Sequence, residues 1–159
     1  MTLLSVIDGA HRASEWKIPL LVHIFGAMVL VGALTLALVS LVVAWRNGSA
    51  AFTRVGMMSI FYGVLPGWIV MRGGAQWIAH KEGLDNDNVD LTWLNIGFTT
   101  SDLGFVLLIA LLIIGGVAVR KINRQSETPI LGPRIATVLV ALLLVAYLVT
   151  IWAMTTKPA

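Results

Sequence analysis

Four apolar runs, at about residues 18–45, 55–79, 92–119 and 135–156, constrain this chain more than any other feature. Each has 22 residues or more, enough to cross a hydrocarbon core of about 30 Å at about 1.5 Å per residue. Inside lipid a backbone amide finds no water. A run of that length must therefore satisfy its N–H and C=O groups within itself, as a helix and not as a strand. The runs take up most of the 159 residues and leave only short connections. The expected fold is all-α: an integral membrane four-helix antiparallel bundle over 18–156, preceded by a short interfacial segment, 1–17. Composition agrees, with 12% charged residues and a mean hydropathy of +0.89, where a soluble domain carries roughly 25% charge.

The first residues, MTLLSVIDGAHRASEWK, have no basic start, apolar centre and small-residue cleavage site of a secretory signal. Leu3, Ile7 and Ala10 instead share one helical face, as an interfacial helix requires. With no cysteine in the chain, disulfides, iron–sulfur clusters, thiolate metal sites and thiol catalysis are all excluded. The net charge of +3 is scattered among loops and forms no patch, so nucleic acid is not an expected partner, whereas the lipid bilayer is.

The loops 45–54 and 120–134 together hold six basic residues and one acid, Glu127. The opposite side holds Arg12, Lys17, Lys81 and Lys157 with six acids. The positive-inside rule places the two basic loops in the cytoplasm and both termini outside. Trp16, Trp77, Trp93 and Trp152 then form an outer aromatic belt, with Trp45 at the inner edge. In the first run Pro19, His23, Gly26, Leu30, Ala33, Ala37, Ser40 and Ala44 step by four and three, a mostly small seam that admits a neighbouring backbone. Gly115 and Gly116 are expected to do the same in the third run. Pro66 and Gly67 lie in the middle of the second, followed by Gly73 and Gly74, and a kink or loosened turn is expected there.

Ionisable residues inside the membrane carry the functional question. Measured from the belt, His23 lies about 10 Å, Arg72 about 8 Å, Tyr147 about 8 Å and Asp102 about 14 Å deep, all in the outer half. Arg72 and Asp102 can therefore meet as a salt bridge between the second and third helices, and both charges are expected to face the bundle interior. Gln76, Asn95 and Thr99 lie one or two turns outward of them and Thr150 is near Tyr147, so His23, Arg72, Gln76, Asn95, Thr99, Asp102 and Tyr147 are the candidate lining of an outward-opening polar pocket. Three readings stay open: a structural tie that fixes helix register, a functional pocket that orients a ligand or relays protons, and an arginine snorkelling to the interface.

His23 is a candidate axial ligand of a b-type haem, with Met71, Met154, His80 or His11 as the second. For a metal ion His23 and His80 are the first candidates, with His11, Asp85, Asp87 and Asp90 the other available donors, at no recognisable spacing. The string GLDNDNVD alternates Asp and Asn, yet it has neither the central glycine nor the final glutamate of an EF-hand. Ser101 precedes Asp102, but neighbours on a helix point about 100° apart, so no hydrolytic arrangement results.

The stretch LLVHIFGAMVLVGALTLAL (20–38), a histidine early in the first span followed by a Gly and Ala seam, resembles small four-helix bacterial inner-membrane proteins and looks like members of the copper-resistance CopD type. The resemblance covers the first helix and implies a bacterial plasma-membrane location and a metal or haem connection, carried by His23 alone. The chain is not expected to be an enzyme in its own right. The leading expectation is binding of a small ligand or cofactor, such as haem, a metal ion or a quinone, as a redox or transport accessory. The alternatives are a structural subunit of a larger membrane complex or homo-oligomer with a purely architectural Arg72–Asp102 pair, and a proton-coupled carrier, for which no internal repeat is evident.

Overall fold

The computed structural model describes residues 17–82, 92–125 and 131–156. The elements are α1 (Lys17–Asn47), α2 (Ala50–Ser59), a π-helical turn (Ile60–Val64), α3 (Leu65–Glu82), α4 (Thr92–Gln125) and α5 (Leu131–Thr156). Four stretches are long and apolar enough to cross a membrane: Lys17–Asn47, Ala50–Lys81, Asn95–Asn123 and Gly132–Thr156. The protein is thus an all-α, multi-pass membrane four-helix bundle, in which α2, the π turn and α3 together form the second span. The expected interfacial helix with Leu3, Ile7 and Ala10 lies outside the described residues, as do His11, Trp16, the GLDNDNVD string and Glu127.

The helices outrun the apolar stretches, because the first and last turns of a span leave the hydrocarbon and tolerate polar residues while the backbone ladder continues. The expected loop 45–54 shrinks accordingly to Gly48 and Ser49. Gly48 supplies the left-handed backbone, φ 63°, that stops α1 and reverses the chain. Ser49 is extended, and its carbonyl accepts both the backbone N–H and the hydroxyl of Thr53, each at 3.1 Å.

Helix α1 is the hub. It packs along the whole second span and against α5, while α4 packs on α5 and meets the second span only sparsely. The expected seam is realised: Pro19, Gly26, Leu30, Ala37, Ser40 and Ala44 are buried, joined by Leu34 and Leu41, with His23 and Ala33 half-buried. Facing it, Gly67 and Gly74 bring backbone against backbone. A Cβ on Gly67 would lie 2.9 Å from the Leu30 nitrogen, and one on Gly74 would lie 2.7 Å from that of His23. Such contact gives van der Waals packing that lipid, as apolar as leucine, does not supply between larger side chains. The Ser59 hydroxyl adds a bond to the Ala33 carbonyl at 2.8 Å. The core closes around Leu30, Leu34, Leu41, Ile60, Leu108 and Leu143.

Two sequence expectations are corrected here. The irregularity of the second span comes one turn before Pro66 and Gly67, in the π turn, where the Leu65 N–H reaches back to the Ile60 carbonyl. Pro66 has no N–H to return to Phe61 in the widened register or to Tyr62 in the ordinary one, so widening ahead of it absorbs the lost bond. Of the two adjacent glycines of α4, Gly115 and Gly116, only Gly115 packs, and it admits the Met57 side chain, not a backbone. Gly116 is exposed and faces open space.

Candidate functional site

Where α4 passes the second span, long side chains bridge the gap between the backbones. Trp68 stacks on Phe105, ring centroids 4.3 Å apart and planes 21° from parallel, and its indole N–H donates to the Ser101 carbonyl at 3.2 Å. One turn further along α3, Arg72 Nη2 meets Asp102 Oδ1 at 2.9 Å, and its guanidinium lies 4.3 Å from the centre of the Phe98 ring. The helical period assembles this set: Trp68 and Arg72 are four apart on α3, and Phe98, Asp102 and Phe105 share a face of α4. Near the other end of the same gap Arg54 Nη2 donates to Asn123 Oδ1 at 2.7 Å.

Arg72 and Asp102 both sit about 10 Å from the middles of their spans, toward the end away from the basic residues. The expected salt bridge between the second and third helices is therefore present. The expectation that both charges face the interior is corrected: Arg72 is 17% exposed, but Asp102 is 63% exposed. The reason is rotational. Helix α4 turns Gly97, Ser101, Gly104, Leu108 and Leu111 toward the bundle, and a residue following Ser101 by one is rotated about 100° off that line.

Exposed Asn95 and Thr99 continue outward from Asp102 on one stripe of α4. Together with Ile96 and Thr100, they line a shallow open hollow of about 380 Å³. Gln76 is exposed one turn outward of Arg72. Five of the seven candidate residues thus belong to the outer part of the α3 and α4 surface. Tyr147 approaches from behind: it is buried, and its hydroxyl lies where a Cβ on Gly104 would come within 2.5 Å. Thr150 is turned back on the Ala146 carbonyl of its own helix, at 2.9 Å.

His23 stands apart, on the seam between α1 and α3. Its Nδ1 is 2.9 Å from the Met71 carbonyl, which fixes the N–H there and leaves Nε2 as the acceptor nitrogen. Such a histidine can give one bond to a metal, but the other donors do not gather round it. Among the described residues no three His, Asp or Glu side chains come together, and the Met154 side chain is packed on Gly97 in the α4 and α5 seam. The described residues therefore form no closed metal site of three His, Asp or Glu side chains at His23 or His80. What the α3 and α4 arrangement can do is offer the outer carboxylate oxygen of Asp102, with its charge steadied by Arg72, to a hydrogen-bond donor arriving along the Asn95 and Thr99 stripe.

Sequence reasoning missed Phe98, whose ring lies against the Arg72 guanidinium, and the stacked pair Trp68 and Phe105; it considered Ser101 only for hydrolysis, and the Ser101 hydroxyl is buried with no partner. The signal existed: each aromatic lies three or four positions from Arg72 or Asp102. Comparison with protein-family models, with curated proteins and with solved structures gives no match for this chain.

Proposed function

We propose that this multi-pass membrane protein binds a small ligand in the polar groove between α3 and α4 and serves as a redox or transport accessory in a bacterial plasma membrane, with its basic end in the cytoplasm. One observation carries the reading: Asp102 is 63% exposed at its depth in the third span, yet held at 2.9 Å by Arg72. An uncovered charge costs about 2.5–3.5 kcal/mol at the centre of a membrane helix on insertion scales, and Asp102, off the centre of its span, bears part of that cost. A hydrated groove, or a bound head group, lowers that cost. Because no group of three His, Asp or Glu side chains that could hold a metal ion gathers among the described residues, the ligand we favour is a small organic molecule with a polar head, a quinone being one such.

The experiment is native mass spectrometry, with a visible spectrum, of the full chain extracted from its own membrane. A stoichiometric bound mass that Asp102→Asn loses while the fold survives supports the proposal. A protein carrying nothing in either form removes it. The second reading is a structural one, in which the pair ties spans two and three within a larger complex. It is favoured by the Phe98 ring lying against the Arg72 guanidinium, and its test is the thermodynamic coupling set out in the Discussion.

A further inference from the structure

The end of the bundle opposite the Arg72–Asp102 pair holds a second concentration of charge. Arg46, Arg54, Arg120, Lys121 and Arg134 are all exposed there. The acidic residues among those described, Glu82 and Asp102, belong to the other half of the molecule. This charge therefore has no acidic counterpart among the described residues of its own end. Arg54 is engaged with Asn123. Arg134, at the start of α5, is held across the junction with α1, its guanidinium 5.4 Å from the centre of the Trp45 ring. Arg46 follows Trp45 at the end of α1.

From Arg134 toward the membrane centre, Ile135, Val138 and Leu142 are exposed apolar side chains on α5, and α5 packs on α1. The surface is graded as an amphiphile is: the Arg134 guanidinium at the membrane boundary, the Trp45 indole beside it at the level such rings prefer, exposed Arg46 at the same helix end, and an apolar wall below. Guanidinium presents a planar fork of donors that matches phosphate oxygens, and juxtamembrane basic groups draw anionic lipid. We propose that Arg46, Trp45 and Arg134 form a head-group site for an anionic phospholipid, whose acyl chains lie along Ile135, Val138 and Leu142. Packing against Trp45 limits the freedom of the Arg134 side chain, so less ordering remains to be done on binding.

The test uses the full chain in detergent, titrated with phosphatidylglycerol or with phosphatidylcholine of the same acyl chains, with bound lipid read by native mass spectrometry. The site predicts retained phosphatidylglycerol adducts and few of phosphatidylcholine. It predicts about fivefold weaker retention for each of Arg46→Gln and Arg134→Gln, the worth of one basic residue near an anionic surface. The charge-matched pair Arg120→Gln and Lys121→Gln should change retention less than twofold. Trp45→Leu, which leaves every charge in place, should also weaken it. Equal retention of the two lipids overturns the proposal, and so does equal weakening by the two charge-removing pairs, which would mark a diffuse attraction to charge and no site. All the substituted side chains are exposed, and an unchanged melting temperature shows that a loss of lipid is not a loss of fold.

Discussion

Arg72 and Asp102 pose the sharpest question that single side chains can answer here. At 2.9 Å, with a ring against the guanidinium, the pair should contribute to stability as a unit. Arg72→Gln and Asp102→Asn are each expected to lower the melting temperature, and the double substitution should cost less than the two single losses together, by about 1 kcal/mol, the scale of polar interactions between membrane helices. Additive losses in detergent would remove the structural reading and leave the ligand groove in possession of the site. Trp68→Phe keeps the stack on Phe105 but removes the N–H that reaches the Ser101 carbonyl, and is expected to cost about 1 kcal/mol in chemical denaturation. At this scale the pair itself was legible, because depth follows from counting residues between span ends. The outward turn of Asp102 was harder to see. It depends on which line of α4 packs, and that line, Gly97, Ser101 and Gly104, is marked by small residues whose partners, Met154 and Tyr147, belong to another span.

The elements are governed by how closely α1 and the second span approach. Gly26 lies against the backbone of Val70 and Met71, so Gly26→Val must push the two helices apart. The expected loss is about 1–3 kcal/mol, the range for overpacking a tight contact, read as a lowered melting temperature. The π turn offers a complementary test. Pro66→Ala restores a donor for the carbonyls at Phe61 and Tyr62, and amide exchange through the turn is expected to slow by about tenfold, the equivalent of one hydrogen bond of about 1.4 kcal/mol. Unchanged exchange would place the origin of the widening in packing on α1 and not in the proline. An irregular turn near Pro66 was legible but its form and place were not, since a proline says which donor is missing and leaves open whether the chain bends or widens to manage without it.

For the whole molecule the arrangement is asymmetric: α1 joins the second span and α5 closely, α4 leans on α5, and the remaining side is held by side chains alone. That side carries the Arg72–Asp102 pair, with the open hollow of Asn95, Ile96, Thr99 and Thr100 beside it on α4. With no native cysteine, single cysteines report on it directly. Thr99→Cys is expected to react with a membrane-impermeant maleimide in intact proteoliposomes, and Leu142→Cys, on the exposed apolar face of α5, is not. Protection of Thr99→Cys would mean that lipid and not water fills the hollow. Bundle, span number and seam were legible because membrane thickness dictates helix length and small residues dictate contact. The order of helices around the bundle was only a default for short connections, and the thinness of one of its sides was not foreseeable from any single span.

The two-residue link at Gly48 and Ser49 bears on how the chain is made. The second span is the least apolar of the four and carries an arginine, so on its own it is a poor candidate to leave the translocation channel for lipid. Held by so short a tether, it emerges beside a strongly apolar predecessor whose glycine seam already fits it. The two would therefore partition together as a helical hairpin, and damage to the first helix would surface as a topology defect in the second.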